Sequence, residues 1–285
     1  LDGILVLRSL DDALAIKDRL ETARAVAVVG GGFIGLEVAS SARKLGREVT
    51  VIEALPRLMA RAVSETVSAW YADLHTNHGV RVLLSTGVTG YSGADGRVTA
   101  VETSVGPIPA DLVIVGVGVI PDDDLARACG LDCDRGVVVD DCARTSDPAI
   151  VALGDCTVRR LADGSTLRLE SVQNAIEQAK SGAAWLMGKE RLFTAAPWFW
   201  SDQYDVKLQM VGLSAGHDHA VTLGSPEDGR FSILYWRKGA FVAVDSIARP
   251  HDHMAARRLL DRGAALTPEE AAEPGFDLAA RARAG

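Results

Sequence analysis

The stretch VVGGGFIGLEVA, residues 28–39, decides the fold. It is a glycine-rich turn with a β-like run before it and a helix-like run after it. The preceding RAVAVV (24–29) is short, apolar and valine-rich, as suits a buried parallel strand. Gly30, Gly32 and Gly35 then give the pattern GxGxxG. The first allows a tight turn, the second lets a pyrophosphate approach the backbone, and the third lets helix and strand pack closely. Residues 33–45 read as the helix, with Gly46 placed to end it. The run REVTVIEAL (47–55) reads as a second strand ending in Glu53, 21 positions after Gly32. A carboxylate there accepts hydrogen bonds from both adenosine ribose hydroxyls and repels a 2′-phosphate, which points to NAD over NADP. Arg57 and Arg61 lie near enough to soften that preference. No Gly-Lys-Ser/Thr follows the turn, so a Walker phosphate loop is excluded.

Outward from this unit, residues 62–78 read as a helix and 80–84 as a strand. In GVTGYSGADGRVTAVETSVGPIPADLVIVGVGV (87–119), Asp95-Gly96 is a hairpin signal, so a β-meander is expected. Residues 112–117 then return as a parallel strand, with Gly116 and Gly118 at the carboxyl end where ligands sit in α/β sheets. TSDPAIVALGDCT (145–157) holds a short apolar run, 150–153, expected to be a strand ending in Gly154-Asp155. A carboxylate at a strand end suits a polyol hydroxyl, although Gly-Asp after a strand is also a common turn.

The composition is that of a globular protein: 285 residues, 48% hydrophobic, 24% charged and a net charge of −8, which argues against nucleic acid as a partner. Four cysteines without paired spacing suggest reduced thiols and a cytoplasmic setting. The longest apolar run, 112–121, is too short to cross a bilayer, and no membrane association is expected. No metal site is expected either. His217, Asp218 and His219 lack a third ligand at sensible spacing, and His251 with His253 is no better. Cys129 and Cys133 fall at an expected helix end and do not form a redox CxxxxC pair.

Taken together, GGGFIGLEVA (30–39), VTVIEALPRLMAR (49–61), VIVGVGVIPDDDLARACGL (113–131) and TSDPAIVALGDCT resemble the FAD-dependent pyridine nucleotide-disulphide oxidoreductase superfamily. RLESVQNAIEQAKSGAAWLMG (168–188) and APWFWSDQYDVKLQMVGL (196–213) narrow the resemblance to NADH-dependent ferredoxin reductases. Those enzymes serve ring-hydroxylating dioxygenases or bacterial haem monooxygenases by way of a ferredoxin. The resemblance implies an α/β protein: a Rossmann-like NAD domain with a β-meander, a partial FAD domain and a small α+β C-terminal domain. The implied segments are 1–22 (end of a first FAD segment), 23–143 (NAD), 144–192 (second FAD segment) and 193–285 (C-terminal reductase domain).

It also implies the site. Gly30, Gly32, Phe33, Ile34, Gly35, Glu53, Arg61, Gly116 and Gly118 would hold NAD, and Glu37 would lie by the nicotinamide as the candidate catalytic residue. Asp155 would contact the FAD ribityl chain. Ser171 and Val172 would open a helix aimed at the flavin pyrimidine, where the helix N-terminus favours negative charge. Without a ligand, the same segment reads as a capped amphipathic helix. The aromatic cluster at 198–200 reads as core on general grounds and as flavin edge by resemblance, with Trp200 the preferred contact. The expected activity carries electrons from NADH through FAD to a 2Fe-2S ferredoxin. Another FAD-dependent NADH reductase of the superfamily, of rubredoxin, nitrite or disulphide type, is an alternative, and PWFWSDQ disfavours the nitrite and disulphide types.

The family carries a second GxGxxG in an earlier FAD segment, and one such turn is present here. The expectation is therefore of a fragment lacking a piece of about 100 residues. A non-catalytic NAD-binding fragment is the alternative. The stretch after Gly263, rich in Ala, Glu and Arg, is expected to be a frayed helix or linker.

Overall fold

The computed structural model describes residues 1–161 and 163–284. The chain divides into two compact units. The first is 1–118 with 201–208 and 225–229; the second is 119–200, 209–224 and 230–285.

The first unit begins with β1 (Ile4–Val6), α1 (Leu10–Thr22), β2 (Ala25–Val29), α2 (Phe33–Lys44), β3 (Glu48–Ile52), α3 (Glu65–Asn77) and β4 (Val80–Leu83). It continues through β5 (Val88–Ala94), β6 (Arg97–Thr103), β7 (Gly106–Pro109) and β8 (Leu112–Val115). A five-stranded sheet runs β1-β8-β2-β3-β4, with every pair parallel. From β2 the chain crosses by α2 to β3 on one side, while β8 returns on the other. The carboxyl ends of β2 and β8 are thus the topological switch point at which α/β sheets bind ligands. Val26, Ala27 and Val28 are all buried, as a strand covered on both faces requires.

The antiparallel meander β5-β6-β7 turns at Asp95-Gly96, both with positive φ (50° and 77°), the backbone that an Asp-Gly hairpin favours. Val98, Val101 and Ile108 of the meander share a core with Ala27, Val29, Ile52 and Val113 of the parallel sheet. The helix expected over 62–78 starts at Glu65. Ser64 caps it by accepting the Val67 N–H, and the Arg57 guanidinium holds the carbonyls of Ala60 and Val63 in the turn before it.

The second unit contains α4 (Asp124–Ala128), β9 (Val137–Val139), β10 (Thr157–Arg160), β11 (Thr166–Leu167) and α5 (Val172–Leu186). The run 150–153, expected as a strand, forms only a single bridge between Val151 and Arg144. The Thr145 and Asp147 side chains bond the turn backbone there, and Pro148 offers no N–H, so the ladder does not extend. Cys129 caps α4, but Cys133 lies beyond it in a bridge to Val137 rather than at the helix end.

The C-terminal sheet comprises β12 (Trp198–Gln203), β13 (Val206–Gly212), β14 (His219–Ser225), β15 (Arg230–Arg237) and β16 (Ala240–Ile247), in the order β12-β13-β16-β15-β14. It is followed by α6 (Pro250–Asp261), α7 (Pro268–Ala271) and α8 (Leu278–Ala284). The stretch after Gly263 is neither frayed nor a linker. Leu266, Ala271, Leu278 and Ala282 are buried in one core with Leu234, Trp236, Val244 and Leu259.

Candidate functional site

The glycine turn joins β2 to α2 under tight packing on three sides. A Cβ at Gly30, where φ is +107°, would overlap the carbonyl oxygen of Gly116 at the end of β8. A Cβ at Gly35 would overlap the carbonyl oxygen of Gly30. Gly32 is the exception: nothing lies within 4 Å of where its Cβ would be. Gly32 is also the N-cap of α2 and has no side chain to bond the first-turn amides. The loop therefore presents backbone donors and the positive end of a helix to open space, a cradle that fits a pyrophosphate. Gly118, at φ +119°, is similarly open beyond β8. Ile34 is exposed, Phe33 is half-buried, and Arg61 is exposed.

Glu53 does more than the spacing argument asked of it. Its Oε2 accepts the Gly31 N–H at 2.7 Å and its Oε1 accepts the Leu55 N–H at 2.8 Å. Each carboxylate oxygen keeps a lone pair for a ribose hydroxyl. Gly31, absent from the sequence reading, is as constrained as its neighbours: a Cβ there would stand 2.6 Å from Leu58 Cδ2 and 3.1 Å from Glu53 Oε2. The signal was the third consecutive glycine.

Glu37 lies one turn into α2, half-buried. Burial pushes its carboxyl above the usual carboxylate range, and the nearby Asp202 charge adds to this. The Ser201 hydroxyl and the Asp202 N–H, both bonded to it, oppose the shift. Ser201 Oγ donates to Glu37 Oε1 at 2.6 Å. Behind Ser201, the Gln203 amide donates to Ser201 Oγ at 3.1 Å, Gln203 Oε1 meets His75 Nε2 at 2.8 Å, and Tyr204 Oη meets His75 Nδ1 at 3.3 Å. None of these four partners stood out in the sequence. Alternation along β12 puts Ser201 and Gln203 on one face, and His75 follows Val67 and Tyr71 on the buried stripe of α3.

In the second unit, Asp155 is exposed at the tip of its loop. Gly154 (φ +81°) donates its N–H to Gln178 Oε1 at 2.6 Å, and Thr157 Oγ1 shares the same acceptor at 3.1 Å. Gln178 belongs to α5, and a Cβ on Gly154 would stand 3.7 Å from Ala175 Cβ. The structure thus holds Asp155 beside the first turns of α5. There Ser171 accepts the Asn174 N–H at 3.1 Å and Val172 is exposed. Trp198 and Trp200 share one face of β12, with ring centroids 5.6 Å apart. The Arg257 guanidinium lies 4.7 Å from the Trp198 ring centroid and His253 meets the same ring edge-on, so Trp198 is committed to packing. No cluster of three or more His, Cys, Asp or Glu able to hold a metal occurs among the described residues.

A parallel sheet with an open glycine turn at its switch point and an acid just past the carboxyl end of the next strand defines a dinucleotide-binding α/β protein. The chain belongs to the pyridine nucleotide-disulphide oxidoreductase family, whose model matches residues 2–179, and residues 198–282 match the reductase C-terminal model. It is 47% identical over 280 residues to rhodocoxin reductase of Rhodococcus erythropolis, covering 98% of this chain and 66% of that protein. The crystal structure of the ferredoxin reductase for the CYP199A2 system of Rhodopseudomonas palustris superposes with a TM-score of 0.96 at 43% identity, covering 99% of this chain and 70% of that one. The reductase of the covalent putidaredoxin reductase–putidaredoxin complex superposes at 0.94 with 39% identity, over 99% and 70%. The chain spans about two thirds of the length of the curated relatives it matches.

Proposed function

We propose that this chain belongs to a cytoplasmic flavoprotein reductase that carries electrons from NADH through FAD to a 2Fe-2S ferredoxin feeding an oxygenase. The observation that carries the reading is the open cradle at Gly32, in a chain that also bears a C-terminal domain of reductase type. Relatives named for reducing a ferredoxin or rhodocoxin match along nearly the whole chain, which supports the acceptor class.

In this reading the Gly30–Gly35 turn and the α2 N-terminus bind the pyrophosphate, and Gly116 and Gly118 border the coenzyme. Glu53 orients the adenosine ribose while holding the Gly31 amide in place. Its charge sets the preference for NADH, with Arg61 at the edge of that pocket. Glu37 positions the nicotinamide. Asp155, Ser171 and Val172 face the flavin, and Trp200 stands at its edge because Trp198 is engaged elsewhere. Bound FAD supplies the conversion between one two-electron hydride and two one-electron transfers, so one NADH serves two ferredoxins and releases one proton. The segments 1–22, 23–143, 144–192 and 193–285 serve as working boundaries for these roles.

The test is an anaerobic titration of purified, FAD-supplemented protein. NADH should bleach the flavin, and oxidised 2Fe-2S ferredoxin should restore its colour at two equivalents per NADH. NADPH should bind at least about tenfold more weakly, a difference of roughly 1.4 kcal/mol. NADH binding with no flavin retained would favour the binding-only reading, and equal affinity for NADPH would overturn the role of Glu53.

A further inference from the structure

Four polar groups run inward from Glu37, and hydrogen-bond arithmetic fixes the direction of every link. Glu37 as a carboxylate can only accept, so the Ser201 hydroxyl proton points to it across 2.6 Å. That hydroxyl has no second proton, so Ser201 must accept from the Gln203 amide at 3.1 Å. Gln203 therefore turns its carbonyl oxygen to His75 Nε2 at 2.8 Å, and only an N–H satisfies it. His75 is then the neutral Nε2–H tautomer, and its Nδ1 accepts from Tyr204 Oη at 3.3 Å. Ser201, Gln203 and His75 are fully buried.

We propose that Tyr204, His75, Gln203 and Ser201 form a one-directional hydrogen-bond chain that positions Glu37 and holds it as a carboxylate. Each link polarises the next toward the acceptor, so the residues behind Ser201 strengthen the last bond without touching Glu37. The charged and titratable surroundings are consistent with this arrangement. Burial, and then the Asp202 charge on β12, raise the Glu37 carboxyl, and the Ser201 hydroxyl at the end of the chain opposes them together with the Asp202 N–H. Burial holds His75 neutral, and the neighbouring His78 at the end of α3 disfavours its charged form further. Tyr204 is stacked on the His78 ring at 3.7 Å, and burial pushes its phenol up to about 12 despite Arg43 of α2, so it remains a proton donor throughout the working range. Lys44 of α2 bonds the Tyr204 carbonyl at 2.5 Å and anchors the far end. Ser201, Gln203, His75 and Tyr204 are positioning residues, and their bearing on hydride transfer rests on the placement of the nicotinamide by Glu37 proposed above.

The experiment follows the Glu37 titration by infrared pH-difference spectra of the full chain without coenzyme, the carboxylic-acid band being assigned by its loss in Glu37→Gln. Ser201→Ala should raise the titration midpoint by about one unit, a tenfold change in proton affinity. His75→Phe should raise it by a smaller step, and His75→Gln, which keeps an amide donor, should restore it. Nitrogen-15 NMR of the unsubstituted protein should show His75 as the neutral Nε2–H tautomer at pH 6–8, a readout independent of whether any variant folds. An Nδ1–H tautomer, or a midpoint that moves in Ser201→Ala but not in a folded His75→Phe, would overturn the chain. NADH affinity measured across pH on the same variants separates the two readings. If its inflection fails to follow the Glu37 midpoint, the nicotinamide role is wrong while the hydrogen-bond chain stands.

Discussion

At Gly32 an added methyl meets nothing, whereas at Gly35, three positions on, it meets the backbone oxygen of Gly30. Steric need inside the protein explains Gly30, Gly31 and Gly35 but not Gly32, whose φ of −81° any residue adopts. What requires glycine there is whatever fills the open space. Gly35→Ala should therefore destabilise the fold by about 1–3 kcal/mol, as overpacking does. Gly32→Ala should cost under about 1 kcal/mol of stability, the scale of a helix-cap change, yet weaken NADH binding at least about tenfold. Thermal denaturation and calorimetric titration of the two variants check the contrast. Unchanged NADH affinity in Gly32→Ala would remove the pyrophosphate from the turn. Three of the four turn glycines and the acid were legible because each answers a local rule of spacing. Gly31 was not, because the groups that crowd it, Leu58 and the Glu53 carboxylate, arrive from 22 or more positions away and only folding brings them there.

Among elements, the strand–turn–helix–strand unit and the meander were readable because each is built from contiguous residues with a strong period or a turn pair. The apolar run 150–153 misled, since Pro148 and the side chains of Thr145 and Asp147 divert the backbone bonds that its composition promised. The tail misled in the opposite sense. Its apolar residues are sparse and α7 and α8 are short, so no period shows, but the four buried positions close the floor of the C-terminal core. Thr267 caps α7 by accepting the Glu270 N–H, Arg281 bonds Glu270 at 2.6 Å, and the Leu266 carbonyl accepts the Trp236 indole N–H at 2.6 Å. Truncation after Gly263 should expose Leu259 and Trp236. It removes two buried leucines, Leu266 and Leu278, worth about 1.5–3 kcal/mol each. That is a large part of a typical domain stability of about 5–15 kcal/mol. Red-shifted tryptophan fluorescence and a lower denaturant midpoint are the expected signs, whereas a tail that is only a linker would leave both unchanged.

At the scale of the molecule, two buried groups of the second unit set opposing pH dependences. Burial pushes Asp245 up to about 7, although the Tyr235 hydroxyl bonded to it at 2.8 Å opposes the shift. Burial, then the nearby Arg257 charge, pushes His253 down to about 4. Between the ordinary aspartate value of 3.8 and about 7 the folded state keeps a proton on Asp245 that the unfolded state has lost, so this group's contribution to stability falls as pH rises. Between about 4 and the ordinary histidine value of 6.5 the unfolded state holds a proton on His253 that the folded state lacks, so that contribution rises with pH. Across the shared window the two slopes oppose each other. Asp245→Asn, which keeps an acceptor for Tyr235, should leave the histidine slope unopposed. Relative to the unsubstituted chain, its stability should climb from pH 4 to 7 and exceed it above pH 7. His253→Gln should show the reverse, with relative stability falling over the same range. The double variant should match the unsubstituted pH profile in shape, because removing both slopes leaves their near-cancellation intact. Denaturant midpoints taken at half-unit pH steps decide the matter. A relative stability of Asp245→Asn that stays level from pH 4 to 7 would mean that Asp245 is already ionised in the folded protein, with its charge met by more than the Tyr235 hydroxyl.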